Sequence, residues 1–183
     1  MPEEMILRHC SPTLAGIKTA NMFSYKFSDK REMIDTLRKL NKIFASKGIR
    51  VVPLRTVDGV TLLYFFRPQK LMEDLNNETA REALFTRGYK TDNMPGCLVR
   101  LIEKLKSQND FPHEIGFFLG YPPFDVACFI EGKKDYIPCK CCWRVYDNED
   151  LAVRTYNAYL KCTSSLMEKH LNGLSLENLA CAV

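Results

Sequence analysis

IRVVPLRTVDGVTLLYFF, residues 49–66, holds two runs rich in branched and aromatic side chains, Ile49 to Arg55 and Val60 to Phe66, either side of Val57-Asp58-Gly59. Such side chains suit a pleated, half-buried surface, and an Asp-Gly pair accepts the backbone angles of a tight hairpin turn. The stretch predicts two antiparallel strands, and the chain on both sides of it reads mainly as helix.

Upstream, Asp29 with Glu32 three residues later makes a capping-box pattern, and Met33, Leu37, Leu40 and Phe44 recur at helical spacing until Gly48. Ser11-Pro12 predicts another helix start, because Ser caps free backbone donors and Pro at the first position gives up an N–H that has no partner. That helix is expected from Pro12 to about Lys26, apolar around most of its circumference, with Lys18 and Asn21 as polar groups in a crowded place. Downstream, Pro68 begins a polar helical stretch, Thr79 to Gly88 a second, and Met94 to Gln108 a third whose Leu98, Leu101, Ile102 and Leu105 face a core.

HEIGFFLGYPPFDV, residues 113–126, reads as a strand over Ile115–Leu119, a rigid Gly-Tyr-Pro-Pro exit with room for a cis bond before a proline, and a short helix. A fourth strand is expected from about Cys141 to Tyr146. Asp147 or Asn148 then caps a long helix that runs toward His170 and stops at Gly173. The predicted architecture is α+β: one domain over 1–183, with a small, mostly antiparallel four-stranded sheet and about six to seven helices packed on it.

The chain of 183 residues is 46% hydrophobic and 26% charged, a composition expected of a soluble globular domain, and no apolar run is long enough to span a bilayer. Its opening Met1-Pro2-Glu3-Glu4 lacks a basic region followed by an apolar core, so a cytoplasmic address is expected, with no membrane partner. The net charge of +4 is spread along the chain and not gathered into a basic stripe with aromatics, which argues against nucleic acid. Eight cysteines without an export signal are expected to be thiols or metal ligands.

Candidate chemistry centres on three places. Cys10, just ahead of the expected helix start, would have its thiolate favoured by the helix end, with His9 beside it and Lys18 two turns on as an anion holder. His113 and Glu114 enter the expected strand on opposite faces; Gly116 leaves a gap where another backbone or a ligand could approach closely, and Tyr121 is presented by the proline-rich exit. Cys139, Cys141 and Cys142 cluster in sequence and could meet Cys162 only if the fold brings them together, and the spacing lacks the second Cys-x-x-Cys pair of a structural zinc site, so packing is the expected role.

Together these support three readings. The first is a small-molecule or metal/redox-cofactor binding protein with its site around Cys10 and His113. His9, Cys10, His113 and Glu114 would be the candidate metal ligands, and Lys18, Asn21, Gly116, Tyr121, Trp143 and Tyr146 would contact the ligand. The second is a cysteine-nucleophile hydrolase or transferase in which Cys10 attacks, His113 acts as base and Glu114 orients it, a papain-like layout. The third is a non-catalytic regulatory or interaction domain.

HCSPTLAGIKTANMF (residues 9–23), HEIGFFLGYPPFDV, and CWRVY (residues 142–146) followed by a helix with YLKC resemble the three marker segments of a bacterial family common in anaerobic Firmicutes, domain-of-unknown-function family 3793. The resemblance spans nearly the whole chain and implies that Cys10, Pro12, Lys18, His113, Glu114, Gly120, Tyr121, Trp143 and Tyr146 hold marker positions. Cys142 departs from the glycine expected before the Trp, which weakens a ligand role for that thiol. The resemblance further implies a redox or iron context in an anaerobe and a functional link to flavodoxin or ferrous-iron uptake, while the candidate ligands themselves would suit iron, haem or another redox cofactor.

Overall fold

A computed structural model of the protein describes residues 1–107 and 111–182. The expected hairpin is present: β2 (Arg50–Val57) and β3 (Val60–Phe66) are antiparallel, and Asp58 and Gly59 turn between them at φ 49° and 77°. The register slips by one between Pro53 and Arg55, leaving Leu54 as an extra, buried residue. Pro53 is tolerated there because β2 is an edge strand.

The third strand lies where a helix was expected. β1 (Ala20–Lys26) pairs antiparallel with β3, Phe23 opposite Leu63, giving the order β1-β3-β2. The first helix, α1, runs earlier, over Glu3–Leu14, so Ser11-Pro12 sits near its C-terminal end. Its stop is a Schellman motif: Gly16 takes φ 77° and donates to Thr13 O, while Ile17 donates to Pro12 O at 3.0 Å. Ser11 does not cap a start; its hydroxyl bonds back to Leu7 O at 2.6 Å. The apolar residues after Gly16 that read as an all-round helix instead line two faces of a strand.

α2 (Lys30–Phe44) follows its predicted caps. Asp29 accepts from Glu32 N at 2.8 Å, the Glu32 carboxylate accepts from Ser28 N and Oγ, and a single 3-10 turn leads to Gly48 at φ 67°. Ile6, Leu7, Cys10 and Leu14 of α1, Leu40 and Phe44 of α2, and Phe23, Val51, Leu63 and Phe65 of the sheet form one core, joined by Leu176 and Leu179 of α9 (Leu176–Leu179). Arg67, at the end of β3, is buried. It donates to the carbonyls of Thr13 (2.7 Å), Leu14 (2.8 Å), Lys47 (2.9 Å) and Cys181 (2.8 Å), and Cys181 N donates back to Leu14 O at 3.0 Å. One guanidinium thus adds donors to the last carbonyls of α1, where the helix has no basic residue in its last turn, and fixes the C-terminal segment.

These elements form one compact unit, Met1–Gln69 with the chain from Tyr159 onward; Lys70–Ala158 form a second. α3 (Pro68–Leu75) leads into the second unit, which contains α4 (Glu78–Phe85), α5 (Met94–Ser107), α6 (Ile115–Phe118) and α7 (Pro123–Ile130). In α5, Cys97, Leu101 and Leu105 are buried, Leu98 and Ile102 half-buried, and the expected end at Gln108 lies outside the described residues. α8 (Glu149–Leu171) begins in the second unit and ends in the first, with Asn148 accepting from Leu151 N at 2.9 Å and Gly173 at φ 93° beyond it.

The α+β class stands, but the sheet of the described residues has three strands, not four. Ile115–Leu119 is not a strand: Ile115–Phe118 is a helical turn. Cys141–Tyr146 is irregular, with a lone bridge between Ile137 and Val145. All peptide bonds among the described residues are trans, including those before Pro122 and Pro123. No helix among them is long and apolar enough to cross a membrane.

Candidate functional site

The segment 113–126 builds one side of a pocket within the second unit. Gly116 lets α6 lie against α7, since a Cβ there would sit 2.8 Å from Val126 Cγ2. Of the two close neighbours the sequence allowed at this glycine, another part of the chain or a ligand, it is the neighbouring helix that approaches. Gly120, at φ 69°, turns the chain out of α6, and Tyr121 N returns to Gly116 O at 3.1 Å, which fixes the Tyr121 ring at the pocket wall.

The other side comes from the irregular stretch before α8, and Asp125 holds it. This buried carboxylate accepts from Trp143 Nε1 through Oδ2 and from Tyr146 N through Oδ1, each at 2.8 Å. Trp143 stacks on Tyr121 with centroids 5.4 Å apart and planes 26° apart. The Tyr146 hydroxyl donates to Lys133 O at 3.1 Å, so this ring closes the loop upon itself.

Between the two sides lies an apolar cavity of about 260 Å³, floored by Ile115, Gly116 and Val126 and walled by Tyr121, Phe129 and Trp143. Its volume is just under the roughly 300–1,000 Å³ usual for ligand pockets. Exposed His113 and Arg144 also line it. The His113 ring lies 4.7 Å from Phe129, and the Arg144 guanidinium lies over two rings, 5.1 Å from Phe129 and 4.7 Å from Tyr136. No carboxylate among the described residues pairs with Arg144. Stacking orients a guanidinium while leaving its in-plane N–H donors available for an anion.

Of the residues singled out from sequence, His113, Gly116, Tyr121 and Trp143 meet at this pocket, and Tyr146 supports it through Asp125. Glu114 does not face it as an orienting group. Its carboxylate accepts from Lys104 Nζ at 2.6 Å and from Tyr89 OH at 3.1 Å; burial pushes its pKa up, but these partners outweigh burial and hold it below the usual carboxylate range.

The remaining candidates belong to the first unit. Cys10 lies in the third turn of α1, fully buried in the core, and burial pushes its thiol far up, with Lys18 opposing only in part. The helix-start geometry that would have activated Cys10 as a nucleophile is therefore absent. Lys18 Nζ donates to Ala20 O at the start of β1, and Asn21 Oδ1 accepts from Thr13 Oγ1 at 2.8 Å, which joins β1 to α1. His9 stacks on Phe23 at 4.9 Å, its pKa lowered by burial and then by Arg8.

No group of three or more His, Cys, Asp or Glu among the described residues is placed to hold a metal ion. A buried thiol of raised pKa and a carboxylate already engaged by Lys104 do not fit an iron or haem site built on Cys10 and Glu114. Arg144, Asp125 and Phe129 were missed. The signal for Asp125 and Arg144 lay in the marker segments, an acid on the first turn after Pro122-Pro123 and an Arg directly after the Trp, but neither declares its partner without the fold, and Phe129 lies outside them.

Residues 6–180 match the model of a family described as Protein of unknown function (DUF3793). No curated protein and no solved structure matches the chain.

Proposed function

The chain belongs to the DUF3793 family, whose description names no reaction, and we propose on its own geometry that the pocket of the second unit binds a small molecule with an aromatic or apolar body and an anionic group. The observation that carries this reading is Arg144, stacked on Phe129 and Tyr136 at the edge of an apolar cavity with no carboxylate partner among the described residues. The cavity takes the apolar body between Tyr121, Trp143 and Phe129, Arg144 receives the anion, and His113 supplies a second polar contact. Asp125 does not face the ligand as an acid, since both oxygens are engaged; it positions Trp143. The site moves from Cys10 and His113 to His113 with Tyr121, Trp143 and Arg144, and the reading requires no turnover.

Trp143 is the chain's only tryptophan, so its emission reports on the pocket directly. Titration with 2-naphthoate is expected to change that emission saturably, with Arg144→Gln weakening affinity about tenfold, the equivalent of losing roughly 1.4 kcal/mol. The neutral 2-naphthamide is expected to bind the native protein more weakly than 2-naphthoate. A linear, non-saturating response, or equal affinities for both probes in both proteins, overturns the reading.

A further inference from the structure

The same irregular stretch carries a feature that the pocket does not use. Cys139 Sγ and Cys141 Sγ lie 3.2 Å apart, both half-buried, while Cys142 beside them is exposed. A disulfide needs about 2.05 Å between sulfurs, so closing the pair takes a movement of only about an ångström, well within the reach of a segment outside regular structure. The two thiols belong to one short loop with a single residue between them, so little chain entropy opposes their meeting.

We propose that Cys139 and Cys141 are a reversible dithiol site, oxidised to an intramolecular disulfide by a low-molecular-weight disulfide and reduced again by thiols. In the first step the Cys139 thiol gives its proton to solvent, and its sulfur attacks one sulfur of the small disulfide; that S–S bond breaks, and one small thiolate leaves and is protonated. In the second, Cys141 loses its proton and attacks the Cys139 sulfur of the mixed disulfide, expelling the other small thiol. Two protein thiols become one disulfide, and one small disulfide becomes two thiols, so electrons and protons balance.

Cys141 acts second because burial holds its thiol up at about 12, with the neighbouring Cys139 and Cys142 sulfurs and the Asp125 carboxylate adding to the effect. Asp125 is also the acceptor for Trp143 Nε1, so closing the pair two residues before Trp143 disturbs the indole. The proposal stands on the sulfur geometry and does not depend on the pocket's ligand.

Peptide mapping makes the test specific, because trypsin cuts after Lys140, between the two cysteines. Full-length protein is equilibrated in mixtures of oxidised and reduced glutathione, quenched in acid, alkylated and digested. The expected product is a disulfide-linked pair of peptides, DYIPCK (135–140) joined to CCWR (141–144), present in the native chain and in Cys142→Ser, absent in Cys141→Ser, and accompanied by a change in Trp143 emission that excess thiol reverses. A link that survives in Cys141→Ser, or glutathione carried on Cys142 or Cys181 without any link even at about tenfold excess of the oxidised form, overturns the proposal.

Discussion

Arg67 ties together parts of the chain that no local pattern connects. Its four backbone acceptors lie on residues 13, 14, 47 and 181, so an arginine after a strand gives no sign of them in the sequence. A lysine cannot reach all four from one point charge, and removing a buried donor strands its acceptors. Arg67→Lys is expected to cost on the order of 3 kcal/mol in chemical denaturation, with less than about 1 kcal/mol contradicting the account.

Glu114 supplies a pH test. Its folded pKa lies below the unfolded value of roughly 4.3, so its pairing with Lys104 and Tyr89 contributes stability that is fully present above that value and is lost as pH falls through the folded pKa. Glu114→Gln is expected to destabilise by about 3 kcal/mol at neutral pH, and the gap between the two proteins should narrow as pH drops from about 5 toward 3. Denaturation midpoints with a gap that stays constant or widens in acid would contradict that role.

At the scale of elements, the chain was legible where a local signal met no competitor. Asp29 with Glu32 and Asp58-Gly59 each specify one cap or turn, and both formed as read. Ser11-Pro12 had a competitor: Gly16, four residues on, needs a left-handed conformation that ends a helix, and the segment beyond it gains strand pairing with β3 that outweighs its helical pattern. Gly16→Ala is expected to cost about 1 kcal/mol without changing the fold, and a neutral effect by denaturant unfolding would show that the stop lies elsewhere.

The apolar run at Ile115 was ambiguous for a different reason. Short apolar runs do not distinguish strand from buried helix, and here close packing on α7 decided. The contact predicts a specific coupling: Gly116→Ala should destabilise by roughly 2 kcal/mol through the clash with Val126, and Val126→Ala in the same chain should recover part of that loss. Additive losses in the double mutant would contradict this packing.

Across the whole molecule, the eight thiols divide by burial. Cys10, Cys97 and Cys128 are buried, Cys142 and Cys181 are exposed, and none of the eight is in a disulfide. Brief alkylation of reduced native protein should therefore modify Cys142 and Cys181 first and spare Cys10, with eight thiols titrating after unfolding. Fast labelling of Cys10 at neutral pH would restore it as a nucleophile.

The functional residues were legible in proportion to how much of their role was local. His113, Gly116, Tyr121 and Trp143 stood out within the marker segments, whereas the cavity they share with Arg144 exists only once Asp125 has drawn the irregular stretch onto α7. The claim that this cavity is the binding site is tested most directly by heteronuclear NMR of the full chain titrated with 2-naphthoate. The account predicts saturable shifts of the single Trp143 indole N–H and of the Gly116 and Tyr121 amides, while the Thr13 and Asn21 amides of the first unit stay in place. Shifts confined to the first unit, or a Trp143 resonance unmoved at saturating probe, would contradict it.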